Sequence, residues 1–240
     1  MAYLNDLVTM CMHIDSPIGR RIALQQIALV VNKFTSSENL HHVTETLLAP
    51  SKGLLGGTIH SAQAIRVAFW IGKGLILRLA NTEEVLNRLL SLLENPEHGA
   101  SAARGFELLL APDEILSKEN GATIRLLAKQ KVFSICVPVI SQGFRNAGST
   151  SKANYLVALS GILKHTATAV LLPEIGTLRP LLLQSLDLEN QDVKAASIEV
   201  LATVTKESPT AVEEHVSSLV RQLLKSTADP KGNSMVCLFR

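Results

Sequence analysis

Several places in this chain carry residue types that could do chemistry. Ser51–Thr58, SKGLLGGT, has the glycines of a loop whose free amides would cradle a nucleotide's phosphates. It lacks the Lys-Ser/Thr pair that would reach phosphate and magnesium, and no strand precedes it, so it reads as a plain loop. Gly72, Lys73 and Gly74 resemble a second such loop, but they lie inside a helical apolar period, where glycine serves close helix packing. His41 and His42 are metal-ligand types, yet adjacent helical residues diverge by about 100° and do not face one ion. Asp113 and Glu114 could act as an acid–base pair; at the head of a polar stretch they read first as a solvated helix start. Cys11, Cys136 and Cys237 are too far apart for a CxxC metal or redox motif and imply no disulfide framework. They read as buried thiols acting as small hydrophobes. No Ser-His-Asp arrangement has a local signature. The expectation is a protein that is not an enzyme and holds no cofactor or metal.

The elements carrying these residues are amphipathic helices in pairs. In Val170–Pro209, Leu178, Leu181, Leu182 and Leu186 recur at helical spacing, and after LENQD so do Val193, Ala196, Val200, Leu201 and Val204. Asn190 is placed to cap the second helix, with Asp192 in its first turn, and Ser208 and Pro209 to open the next. One such hairpin cannot bury both stripes, so it must stack on neighbours. The same pattern pairs Tyr3–His13 with Arg20–Phe34, and Glu38–Leu48 with Ser61–Leu79 across a Gly53–Gly57 loop. Glu83–Leu93, capped by Thr82, pairs with Ala100–Leu110, and Lys131–Arg145 with Lys152–His165. Turns near Ser16, His60, Pro96, Ser151, Gln191 and Gly232 repeat at roughly 35–45 residues, with one longer step.

These features predict an all-α fold: an α-solenoid of HEAT-type helical hairpins, about five complete pairs plus a truncated last repeat starting at Pro209. Residues 1–240 form one solenoid segment. The long step is an insertion near 112–130, where Ala122–Lys131 is predicted as a short extra helix carrying Arg125, Lys129 and Lys131. Because NSMVCLFR stops one or two turns into a helix, the chain reads as a fragment of a longer protein.

Charge and hydropathy narrow the function. With 23 Lys plus Arg against 21 Asp plus Glu, no long-range field favours duplex DNA, RNA or an anionic membrane. The apolar runs Ile22–Val31 and Val67–Ala80 are interrupted by polar residues and fall short of the roughly 18 residues of a membrane span. The N-terminus has no signal-peptide pattern, so a soluble intracellular protein is expected. Second helices of such stacks line the inner surface, which makes Arg66, Lys73, Arg104, Lys152, Lys164, Lys194 and Glu199 candidates for exposed contact positions. Trp70 and Tyr155 are core residues by default and interface anchors if partly exposed.

Six blocks go beyond generic helix patterning: VAFWIGKGL at 67–75, ARGFELLL at 103–110, IRLLAKQKVF at 124–133, QGF at 142–144, NYLVALS at 154–160 and VLLPEIGTLRPLLL at 170–183. Their order and separation resemble the C-terminal region of the HEAT-repeat adaptors of the cytosolic iron-sulfur assembly targeting complex, a family named for methyl methanesulfonate sensitivity and nucleotide excision repair. The resemblance implies a scaffold that binds a MIP18-type assembly protein and its WD40 propeller partner. It also implies help in delivering clusters to apo-proteins such as helicases, polymerases and primase, in cytoplasm and nucleus. Neither direct nucleic-acid binding nor a membrane is expected. Arg125, Lys131, Lys152 and Tyr155 are the expected partner contacts. The alternative reading is another HEAT or armadillo scaffold, such as a nuclear transport receptor or a phosphatase scaffold.

Overall fold

A computed structural model of the chain describes residues 2–49, 53–55, 61–188, 190–207 and 221. Among them there is no strand, and the architecture is an all-α solenoid. Helices α1 (Ala2–His13), α3 (Ser37–His42), α5 (Thr82–Ser91), α7 (Ala128–Asn146) and α10 (Ile175–Ser185) alternate with α2 (Pro17–Phe34), α4 (Ser61–Leu77), α6 (Gly99–Leu110), α8 (Ser149–Leu163) and α11 (Gln191–Glu207). A single turn, α9 (Thr168–Leu171), precedes α10. The α2, α4, α6, α8 and α11 helices pack side by side as one layer, and α5 packs on α7 in the other. Leu89, Phe106, Ile140 and Leu178 lie within the buried core between the layers.

Local chemistry starts and stops these helices. Asn190 accepts the Val193 amide at 3.2 Å, the capping role read from its position before α11. Ser16 caps α2 through the Gly19 amide at 3.3 Å, with Pro17 at the first helical position. Thr82, in contrast, is not the cap of α5. Asn81 occupies that position in the left-handed region at φ 44°, and the Thr82 hydroxyl is buried inside the first turn without a hydrogen-bond partner. An asparagine tolerates this φ better than a β-branched threonine, which explains the one-residue shift. The helix expected to Leu48 widens after His42 into a π turn, Val43–Leu47. Arg88 of α5 satisfies its loosened carbonyls by donating to Thr44 and Leu48, and it also pairs with Glu45 and Glu84.

Three close approaches fix the stack. A Cβ on Gly74 would lie 2.5 Å from the Ala28 carbonyl oxygen of α2, and one on Gly105 would lie 2.6 Å from the Phe69 ring. That leaves Phe69 free to meet Phe106 edge to face, with centroids 5.3 Å apart and planes at 77°. Gly143 gives the same clearance to the Tyr155 ring. Gly72, Lys73 and Gly74 are thus helical residues, as their periodicity indicated.

The extra helix expected over Ala122–Lys131 does not form. Residues 111–127 are turns and extended chain, and Lys129 and Lys131 belong to the first turn of α7. The cause is tertiary. Asn32, 1% exposed, donates to the carbonyls of Gly74 (2.9 Å) and Thr123 (3.0 Å) and accepts the Thr123 amide (2.7 Å). Lys33 donates to the Asn120 carbonyl, and the Arg125 amide to the Leu77 carbonyl. These bonds take the backbone groups a helix would need. The Ser51–Thr58 loop apart from 53–55, the Ser208–Pro209 cap, the last repeat other than Arg221, and Cys237 lie outside the described residues.

Candidate protein-interaction surface

Anchored at Leu77, the chain leaves the 111–127 segment with Leu126 and Leu127 turned outward, 93% and 63% exposed. Arg125, Lys129, Gln130 and Lys131, next to them along the chain, are also exposed. A leucine pair held in water by a hydrogen-bonded backbone, flanked in sequence by exposed cationic residues, has the apolar and polar components of a protein contact. One turn further on, a cleft of about 320 Å³ opens between α7 and α9, lined by Gln130, Phe133, Val137, Pro138, Val170 and Pro173. Pro138 interrupts the α7 hydrogen-bond ladder at this point, because it has no amide to offer the Ser134 carbonyl.

Lys152 and Tyr155 lie elsewhere. They sit on α8 beside the far end of α7, where the Lys152 ammonium stands 5.4 Å from the centre of the Phe144 ring. From Lys131 to Phe144 the helical rise is about 20 Å, so the four expected contacts form two groups. Lys152 is exposed. Tyr155 is only 5% exposed, and its hydroxyl donates to Glu94 Oε1 at 2.9 Å. Burial, and then its bond to the Glu94 carboxylate, push the phenol up to about 12. Tyr155 therefore locks α8 to the end of α5 and presents no surface to a partner, contrary to its expected role.

The positions expected on exposed faces of second helices also divide. Arg66, Arg104, Lys152, Lys164 and Glu199 are exposed; Lys73 and Lys194 are buried. Lys73 lies 2% exposed, donates to the Ala111 carbonyl at 2.6 Å and stands 5.3 Å from the centre of the Trp70 ring. Burial lowers it to about 8 even though the Asp113 charge supports the ammonium. Asp113 starts no helix. Its carboxylate accepts the Ile115 and Leu116 amides and the Gln25 side chain at 3.0 Å. Burial pushes Asp113 up, but Gln25, those amides and Lys73 outweigh it and hold the carboxyl below its ordinary range. The tied carboxylate pins the start of the 111–127 segment to α2 through Gln25.

Cys11 and Cys136 are buried and free. Burial drives both thiols above their ordinary value, opposed at Cys11 by Gln63 and the charges of Arg20 and Arg66. His42 meets Asn5 Oδ1 at 3.3 Å. Among the described residues no group of His, Cys, Asp and Glu is placed to hold a metal ion, and no helix is long and apolar enough to cross a membrane.

Comparison with known proteins matches residues 1–238 to a family model of the MMS19 C-terminal region, described as "RNAPII transcription regulator C-terminal". This chain belongs to the MMS19 C-terminal family. The human MMS19 nucleotide excision repair protein homolog is 32% identical over 222 residues, 92% of this chain and 22% of the relative. The MMS19 relative of Saccharomyces cerevisiae, named as a DNA repair/transcription protein, is 31% identical over 218 residues, 88% of this chain and 20% of the relative. The DNA repair/transcription protein mms19 of Schizosaccharomyces pombe is 28% identical over 240 residues, 98% and 24% respectively. The chain thus spans between a fifth and a quarter of the length of the curated relatives it matches. The blocks that suggested this family are the seams of the MMS19-type stack: Phe69 in one packs on Gly105 and Phe106 in the next, and Gly143 in QGF receives Tyr155 of NYLVALS. Leu126 and Leu127 lie in the block at 124–133, and sequence alone does not single them out because two leucines inside a predicted helix carry no mark of which way they face.

Proposed function

We propose that this chain is a non-catalytic docking segment of an adaptor in cytosolic iron-sulfur protein assembly, serving DNA repair and transcription proteins in cytoplasm and nucleus. In this reading it grips a MIP18-type assembly protein and, through it, a WD40 propeller. The chain acts by positioning, while the cluster is cargo passed to client helicases, polymerases and primase. The observation that carries the reading is the outward Leu126–Leu127 pair, with exposed Arg125, Lys129 and Lys131 beside it in the chain. MMS19 family membership and the repair and transcription names of the relatives support it. Lys152 is proposed as a second contact at the other end of α7.

Isothermal titration with the MIP18-type protein tests this. Leu126→Ser with Leu127→Ser removes two exposed apolar anchors at little packing cost, and binding is expected to weaken about a hundredfold or more. Lys131→Glu and Lys152→Glu give smaller losses that shrink with added salt. Undiminished binding by the double leucine variant would remove this patch from the interface.

A further inference from the structure

The exposed face of the α2, α4 and α6 helices carries a second surface, on residues the preceding proposal does not use. Two clefts meet there. One, of about 400 Å³, is lined by Arg21, Arg66, Trp70, Lys73, Leu108 and Asp113 among others. The second, of about 310 Å³, shares Arg66, Trp70 and Leu108 with it and adds Arg104. Because they share a wall, the two form one groove across three helices. Arg21, Arg66 and Arg104 are exposed, and none makes an ion pair or hydrogen bond among the described residues. Other arginines of this region are committed: Arg20 donates to the Ile14 carbonyl, and Arg78 to those of Asn32 and Thr35. Three uncommitted guanidinium groups thus converge on a groove with a Trp70 and Leu108 floor.

We infer that this groove is a docking site for a short acidic polypeptide segment, its carboxylates on Arg21, Arg66 and Arg104 and an apolar side chain against Trp70 and Leu108. Arginine forks suit carboxylates, and the indole and leucine surface rewards an apolar neighbour that a phosphodiester strand lacks. The charge pattern also favours a peptide over nucleic acid. Beyond Arg104 the face turns mixed, with Lys164 paired to Glu107 at 2.6 Å and Glu199 exposed. A phosphate backbone running along the layer would meet these carboxylates, whereas a peptide can end before them. Three helix axes at packing distance span about 18 Å, which an extended chain covers in about six residues.

The chain contains one tryptophan, so Trp70 emission reports occupancy directly. The test titrates the chain with the peptide Glu-Leu-Glu-Glu-Leu-Glu, following Trp70 emission, and repeats the titration by anisotropy with a dye-labelled copy. Saturable binding that shifts Trp70 emission is expected. Arg66→Glu with Arg104→Glu should weaken it about tenfold or more, and so should replacing the peptide's glutamates by glutamine. Arg66→Gln with Arg104→Gln removes charge with little change in shape and must reproduce the loss, which guards against a misfolded reversal variant. The Leu126→Ser, Leu127→Ser chain should bind the peptide normally, which separates this groove from the Leu126–Leu127 patch. No binding, equal affinity for the glutamine peptide, or equal affinity in both arginine variants overturns the proposal. Tighter binding of an oligothymidylate of similar length, lost in the same variants, overturns it in favour of nucleic acid.

Discussion

Lys73 offers the sharpest check on the packing described above. Its ammonium is almost wholly buried, and burial lowers its pKa from 10.5 to about 8. The unfolded chain therefore holds this proton more tightly than the folded one, so stability must rise with pH between about 8 and 10.5. Below that window both states are protonated, and the cost of burying the charge, about 3 kcal/mol, is present in full. Between about pH 7.5 and about pH 9.5 the cost falls by about 2 kcal/mol. Lys73→Met keeps the apolar stem against Trp70 and cannot titrate, so other groups can be subtracted by comparing the two proteins. Urea unfolding monitored by circular dichroism at both pH values should show the unsubstituted chain gaining about 2 kcal/mol relative to Lys73→Met as pH rises. The variant also leaves the Ala111 carbonyl without its donor, an offset of about 1–3 kcal/mol that does not vary with pH. Parallel pH dependences in the two proteins would refute the burial argument.

Asn32→Ala removes three hydrogen bonds and strands the Gly74 and Thr123 carbonyls; a loss of about 3 kcal/mol is expected in urea titration, with faster amide exchange at Thr123. Gly143→Ala drives a methyl group into the Tyr155 ring and should cost about 1–3 kcal/mol. By pushing the ring out of its buried slot and away from Glu94 it should also bring the phenol down from about 12 toward 10, readable by ultraviolet titration because the chain has only two tyrosines. An unmoved phenol titration would mean that the ring relaxes without leaving Glu94.

The helices were legible because periodicity is a local property of a one-sided surface. Leu178 to Leu186 and Val193 to Leu201 mark their stripes without reference to the rest of the chain, and the Asn190 cap needs only the amide three residues on. Three features were not legible, and each depends on a distant partner. The 122–127 segment is uncoiled by Asn32, some ninety residues earlier, and the π turn after His42 is completed by Arg88. The burial of Lys73 is decided by the Ala111 carbonyl. Surface chemistry failed in the same way. Tyr155 is held by the slot that Gly143 gives its ring, and Leu126 and Leu127 are exposed by a backbone tied to Leu77, neither of which local sequence encodes.

The 111–127 segment also changes how the molecule should come apart. In an ideal solenoid each hairpin touches only its neighbours, so the ends fray independently and either can go first. Here Gln25 reaches Asp113, Asn32 reaches Thr123 and Lys33 reaches Asn120, so the first hairpin is tied to chain that follows the third. Loosening α1 and α2 requires releasing that strap as well, whereas α10 and α11 have no comparable tie among the described residues. The helices from α1 to the start of α7 should thus protect their amides as one unit in hydrogen exchange, rather than hairpin by hairpin.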